Sequence, residues 1–228
     1  MLKSKKHVFW EALFVTILVF FSGIFIGLSF EKNRLDVIDK YYSESEVSFL
    51  DILTLQKMQE LNASNCDAII NAQIKFADKI YNEAIILEDY EDANKINDNL
   101  KISHKKYDLL RTYLWINSLK TFENCPKKFV PIAYLYSYNT EEIDKKATQK
   151  TLSRVLYDLK QKYGDKILLL PIAMDNNLTS VELMTEQLGI KSFPCIIIGN
   201  KTILYNLTSI SKIEQNLPFL NNTMIKLN

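Results

Sequence analysis

Apolar residues follow three different rhythms along this chain of 228 residues, and each rhythm predicts a different kind of element. From Ala12 to Phe30, 19 consecutive residues carry no charge. As a helix they cover roughly 28 Å at ~1.5 Å per residue, enough to cross a hydrocarbon layer. Residues 31 to 125 then contain no Gly and no Pro and hold 12 Lys+Arg against 17 Asp+Glu, the pattern of a solvated, net-acidic helical module. Beyond Pro126 short apolar runs alternate with amphipathic stretches, as strands alternate with helices.

The apolar N-terminal run reads as a single transmembrane helix. Trp10 sits where an aromatic-belt residue would, and Glu11 falls at the headgroup edge. A cleaved signal peptide competes with this reading, because Lys3, Lys5 and Lys6 form a basic start and Gly27-Leu28-Ser29 offers small residues for cleavage. The run exceeds the ~7 to 15 residues of a usual signal core, which favours an uncleaved signal anchor. Lys32, Arg34 and Lys40 follow the span, so the positive-inside count is nearly a tie. The tighter cluster before the span favours an N-terminus inside and extracytoplasmic domains after it. Gly23 and Gly27 form a GxxxG step that would let two such helices pack as a homodimer, and a lone anchor tolerates the same glycines.

In the helical module, Ile70, Ile74, Ala77, Tyr81 and Ile85 recur at three- and four-residue steps, as do Leu100, Ser103, Tyr107, Leu110 and Leu114. Asn62-Ala-Ser-Asn65 and the Asn-rich stretch from Asn94 to Asn99 signal breaks. Three helices are predicted, at 33 to 62, 67 to 92 and 97 to 122. The last two are equally long, so an antiparallel hairpin returns the chain to its starting level and brings Cys66 and Cys125 to one end. Outside the cytoplasm, a disulfide there would close a loop of about 58 residues and stabilise the module by ~2 to 4 kcal/mol. Two unpaired thiols near helix ends are the alternative.

The C-terminal part predicts strands at 129 to 137, 166 to 174, 195 to 198 and 202 to 205, the last two joined through Gly199-Asn200. A helix is predicted at 141 to 163, with Ile143, Ala147, Leu152, Val155, Leu156 and Leu159 inward. A capping box at Thr179-Ser-Val-Glu182 opens a short helix that stops at Gly189, and a final helix runs from Thr208 to Leu217. The resulting order is β-α-β-α-β-β-α.

That order, with Gly189-Ile-Lys-Ser-Phe-Pro194-Cys-Ile-Ile-Ile198, resembles the thioredoxin-like fold over residues 129 to 220. The resemblance implies an α/β thioredoxin-like C-terminal domain (126–228) behind a helical module (31–125) and an N-terminal tail and transmembrane helix (1–30). It implies that Pro194 is the family's cis proline, with Phe193, Pro194, Cys195 and Glu141 around a binding groove. The family's oxidoreductases carry Cys-x-x-Cys just after the first strand, where the helix start lowers the attacking thiol's pKa. Here that place reads Ser137-Tyr-Asn-Thr-Glu-Glu-Ile-Asp144, and no cysteine occurs between 126 and 194. Glu141, Glu142 and Asp144 suit a helix start. The layout also resembles a group of uncharacterised membrane-anchored archaeal proteins through Asn65-Cys66, Tyr107-Asp-Leu-Leu110, Trp115, Cys125 and Tyr134-Leu-Tyr-Ser137. Relatives there often have two cysteines after the first strand, so this chain would be a degenerate member.

Cys195 is the remaining candidate thiol. Pro194 places it near the substrate face, while Ile196, Ile197 and Ile198 favour a buried strand start. Asn62, Asn177, Asn206 and Asn221 match N-glycosylation acceptors, whose occupancy would report orientation. Lys+Arg 28 against Asp+Glu 27 gives no basic surplus for nucleic acid. With five glycines, two histidines and neither GxxxxGK[ST] nor GxGxxG, no P-loop, metal site or cofactor is expected. The expected function is a membrane-tethered, non-catalytic module that holds an extended peptide or protein partner. Thiol-disulfide exchange through Cys195 or the Cys66/Cys125 pair, and a structural membrane spacer, are the alternatives.

Overall fold

The computed structural model describes residues 5–61, 66–93, 98–125 and 129–221. Three helices, α1 (Lys5–Leu61), α2 (Cys66–Ala93) and α3 (Asp98–Asn124), come first. They are followed by β1 (Val130–Tyr136), α4 (Ile143–Tyr163), β2 (Ile167–Ala173), α5 (Thr179–Gln187), β3 (Cys195–Ile198), β4 (Thr202–Tyr205), α6 (Ile210–Glu214) and a last turn, α7 (Pro218–Asn221). The β-α-β-α-β-β-α order expected from the sequence is present. Lys3 and the breaks at Asn62–Asn65 and Asn94–Asn97 lie outside the described residues.

The chain divides into two compact units between Tyr41 and Tyr42. In the first, His7–Phe30 is long and apolar enough to cross a membrane, and none of it is buried within the protein. A signal anchor and a signal sequence both fit that description. Gly23 and Gly27 face open space. The separate helix expected at 33 to 62 is the later part of α1, because no Gly or Pro from 28 to 61 ends the first helix.

In the second unit the sheet order is β2-β1-β3-β4, with β1 and β2 parallel and β3 antiparallel to both β1 and β4. One face carries an apolar core: Val130, Ile132 and Tyr134 of β1 and Ile196 and Ile198 of β3 pack with Leu152, Leu156 and Leu159 of α4 and Ile213 of α6. The period-two alternation of β1 supplies one side and the i, i+4, i+7 spacing of α4 the other. Gly164 ends α4 at φ +53, a conformation that costs a glycine little.

α3 packs on both β1 and the edge strand β2, and α2 packs on β2. The helical hairpin thereby covers a strand edge that would otherwise expose unpaired backbone groups. Within the module, Phe49 of α1 meets Phe76 at 5.7 Å and Tyr113 at 5.4 Å. The Glu83 carboxylate accepts hydrogen bonds from Ser45 Oγ at 2.5 Å and Tyr107 Oη at 3.2 Å, so one buried group links all three helices. Cys66 and Cys125 form a disulfide at the foot of the hairpin, with Cα atoms 5.9 Å apart.

Four details differ from the sequence expectations. Ile143 and Ala147 are exposed, Ile143 by 82%, because the first turns of α4 lie outside the apolar core that starts at Leu152. The Thr179–Glu182 capping box does not form: Leu178 is the N-cap, and its carbonyl accepts the N–H groups of Val181 and Glu182. The final helix is interrupted between Glu214 and Pro218, where proline lacks the donor to continue it. On α2 the buried face shifts from Tyr81 and Ile85 to Ile80, Ala84 and Leu87, since this helix packs against both its neighbouring helices and the sheet.

Candidate functional site

The register of the sheet brings the cis proline to the end of β1. Cys195 pairs with Leu135, so Pro194 falls one step beyond, level with Tyr136, where the Ser137–Glu142 loop begins. The Phe193–Pro194 bond is cis, as the resemblance implied. Pro194 and Cys195 are buried, Phe193 is half-buried, and Glu141 is exposed farther along the loop.

Backbone and side-chain bonds tie that loop down at every step of its first half. The Ser137 N–H donates to Gln149 Oε1 at 2.9 Å, and Gln149 Nε2 donates back to the Ser137 carbonyl at 2.9 Å. Asp175, after β2, accepts the N–H groups of Tyr138 at 2.7 Å and Asn139 at 2.6 Å. These donors are therefore already paired and cannot bind an oxyanion. The Tyr138 hydroxyl lies 3.2 Å from His104 Nε2, with ring centroids 4.5 Å apart.

Behind this loop, α3 inserts a charged cluster at the end of the sheet edge. Met174 donates its N–H to the Tyr136 carbonyl of β1, so the preceding N–H, on Ala173, points outward. Asp108 Oδ1 accepts that outward N–H at 3.2 Å, and Oδ2 accepts Asn176 Nδ2 at 2.5 Å. Arg111 Nη1 stands 3.3 Å from Asp108 Oδ1, and both side chains are almost wholly buried. Burial pushes the Asp108 carboxyl above its ordinary range, against the opposing pull of Arg111, the Ala173 N–H, Asn176 and His104.

Cys195 is fully buried among apolar strands, and desolvation pushes its thiol up to about 12. A thiol with that pKa is almost wholly protonated at neutral pH and is a poor nucleophile. Among the described residues no group of three or more His, Cys, Asp or Glu is placed to hold a metal ion. What the arrangement offers is a braced loop beside a cis proline, flanked by an imidazole, a phenol and a buried ion pair.

The sequence reading named the proline, its neighbours and Glu141 but missed His104, Asp108, Arg111, Tyr138, Gln149 and Asp175. His104, Asp108 and Arg111 share a helix with the buried Tyr107, Leu110 and Leu114, but charges interleaved with such a stripe fit a solvated face equally well. Glycosylation candidates Asn177 and Asn206 are exposed at positive φ, +51 and +63, as turn residues. Asn62 lies outside the described residues, and the side chain of Asn221 is likewise not described.

No protein-family model matches the chain, and no match is found among curated proteins. Among solved structures the chain is similar to thioredoxin-2, described as a component of malaria parasite protein secretion machinery. The two are 23% identical over 44% of this chain and 84% of that one, with a TM-score of 0.29. At that score the likeness carries no weight for activity, and the fold rests on this chain's own strand order, helix order and cis proline.

Proposed function

We propose that the chain is a membrane-tethered, extracytoplasmic thioredoxin-like module that holds a partner without exchanging disulfides with it. The observation that carries this reading is the Ser137–Glu142 loop, which occupies the place of the family's dithiol without a cysteine and is braced by Gln149 and Asp175. A loop held this firmly suits a preformed docking surface, since little ordering entropy remains to be lost on binding. Half-buried Phe193 and the adjoining cis proline would supply the contact for an extended peptide segment. The Cys66–Cys125 bridge fits an oxidising compartment, in agreement with His7–Phe30 acting as an anchor that leaves the rest of the chain outside the cytoplasm.

The test uses the full chain in nanodiscs. Extended peptides selected from a random-sequence display library should compete with one another for it, and Phe193→Asp should abolish their binding. Sustained turnover of a dithiol substrate by the same preparation, lost on Cys195→Ser, would replace the holding reading with the enzymatic one. Labelling with a membrane-impermeant reagent from each side checks the orientation separately.

A further inference from the structure

We infer that a cleft between α2, α4 and the sheet binds a small, uncharged, planar heteroaromatic molecule that carries a hydrogen-bond donor next to an acceptor. The cleft is distinct from the cis-proline loop and does not depend on the holding reading. Its volume is about 450 Å3, within the ~300 to 1,000 Å3 typical of small-molecule sites. It lies where α2 meets α4 and the edge of the sheet.

The floor is buried and the rim is open. Tyr134 and Leu156 at the floor are almost completely buried, whereas Ile85 and Tyr157 at the rim are 40% and 49% exposed. Together with Tyr81 of α2, three tyrosine rings from three separate elements surround one hollow. Such a lining favours a flat ring over a flexible chain, because stacked and edge-to-face geometries are available from several sides.

The polar groups at the rim specify the edge of that ring. Lys160 Nζ stands 3.2 Å from Asp78 Oδ1 and donates to the Ile167 carbonyl at 3.0 Å. An ammonium has three N–H groups, so these two bonds hold it in place and leave a third for an acceptor in the cleft. The Lys160 side chain is only 18% exposed, while that of Asp78 is 50% exposed and has acceptor capacity to spare. A carboxylate ligand would meet repulsion from Asp78 and a cationic one repulsion from Lys160. A neutral lactam edge, with C=O toward Lys160 and N–H toward Asp78, satisfies both.

The probes are quinolin-2-one, which carries that edge, and N-methylquinolin-2-one, which lacks the donor. Each is titrated calorimetrically into the full chain in nanodiscs, with empty nanodiscs subtracted. Quinolin-2-one should bind saturably, and the N-methyl compound about tenfold more weakly, the scale of one hydrogen bond to a charged group. Asp78→Ala should remove the difference between the two probes. Ser153→Trp, a substitution at an exposed position of the cleft wall, should abolish binding of both while the circular dichroism spectrum stays unchanged. Absence of saturable quinolin-2-one binding overturns the site, as does binding that survives Ser153→Trp. Equal affinity of the two probes for the unmodified chain overturns the lactam specificity.

Discussion

The sheet is covered on two sides, and only one of them adds buried charge to its apolar contacts. Toward α4 and α6 the contact is hydrocarbon: Leu152, Leu156 and Leu159 meet Val130, Ile132, Ile196 and Ile198. Toward the helical hairpin it is partly ionic, with Asp108 and Arg111 of α3 buried against the end of β2. The first kind of contact is non-directional and tolerates small shifts. The second requires each donor to find its acceptor, so it fixes where the hairpin sits along the sheet edge. Apolar burial on both sides of the sheet supplies stability, and the polar contact sets the position of the hairpin beside the Ser137–Glu142 loop.

The largest effect should come from separating the buried ion pair. Asp108→Ala leaves the Arg111 guanidinium buried without that carboxylate and the Ala173 N–H without its acceptor, a change expected to cost about 3 to 5 kcal/mol. Adding Arg111→Met should recover a good part of that loss, because two apolar groups replace an uncompensated charge. Chemical denaturation of the single and double variants checks this. A double variant no more stable than Asp108→Ala would mean that the pair acts through the backbone bond alone.

On the opposite face Leu152→Ala should cost about 2 to 5 kcal/mol by opening a cavity, and no second substitution on the hairpin should restore it. Crystal or NMR structures of this variant should keep the Asp108–Ala173 bond. Its loss would show that the two sides of the sheet are not independent.

Next in size is the bridge at the foot of the hairpin. Cys66 and Cys125 are 59 positions apart, and closing such a loop stabilises the folded chain by about 2 to 4 kcal/mol through the unfolded state. The Cys66→Ala/Cys125→Ala double variant should unfold at correspondingly lower denaturant. Its loop beside the cis proline should be unchanged, as judged by amide exchange at Tyr138 and Asn139. Faster exchange there would tie the candidate site to the redox state of the hairpin.

These contrasts also mark what the sequence could reveal. Strand alternation and the leucines of α4 repeat with a period, so the element order, the β3–β4 hairpin and the apolar core were legible. The Cys66–Cys125 pairing followed from two helices of equal length. Asp108, Arg111 and His104 have no period of their own, and on a helix their spacing is equally compatible with a solvated face. Only the sheet edge, formed by residues 65 positions later, distinguishes the two readings, since Ala173 is the group Asp108 serves. Ile143 failed for the converse reason: its apolar side chain fits the helical stripe, but the sheet core it was expected to join begins two turns farther on, at Leu152.

The smallest expected effect compares the polar node inside the helical module with the one at the sheet. Burial raises the pKa of Glu83, opposed by hydrogen bonds from Ser45 and Tyr107 and by Lys79 at 3.9 Å, and reinforced by Glu44. The folded chain therefore keeps this proton to higher pH than the unfolded chain, whose glutamate titrates at about 4.3. Between those two pKa values the native state binds more protons, so the contribution of Glu83 to stability falls as pH rises and levels off above the native value. Glu83→Gln keeps an acceptor for the two hydroxyls but cannot titrate. Melting temperatures of the two proteins from pH 4 to pH 8 should shift progressively in favour of Glu83→Gln, and the difference should be constant once the native carboxyl is ionised. A difference that moves in favour of the unmodified chain with rising pH would mean that Lys79 and the two hydroxyls outweigh desolvation at Glu83.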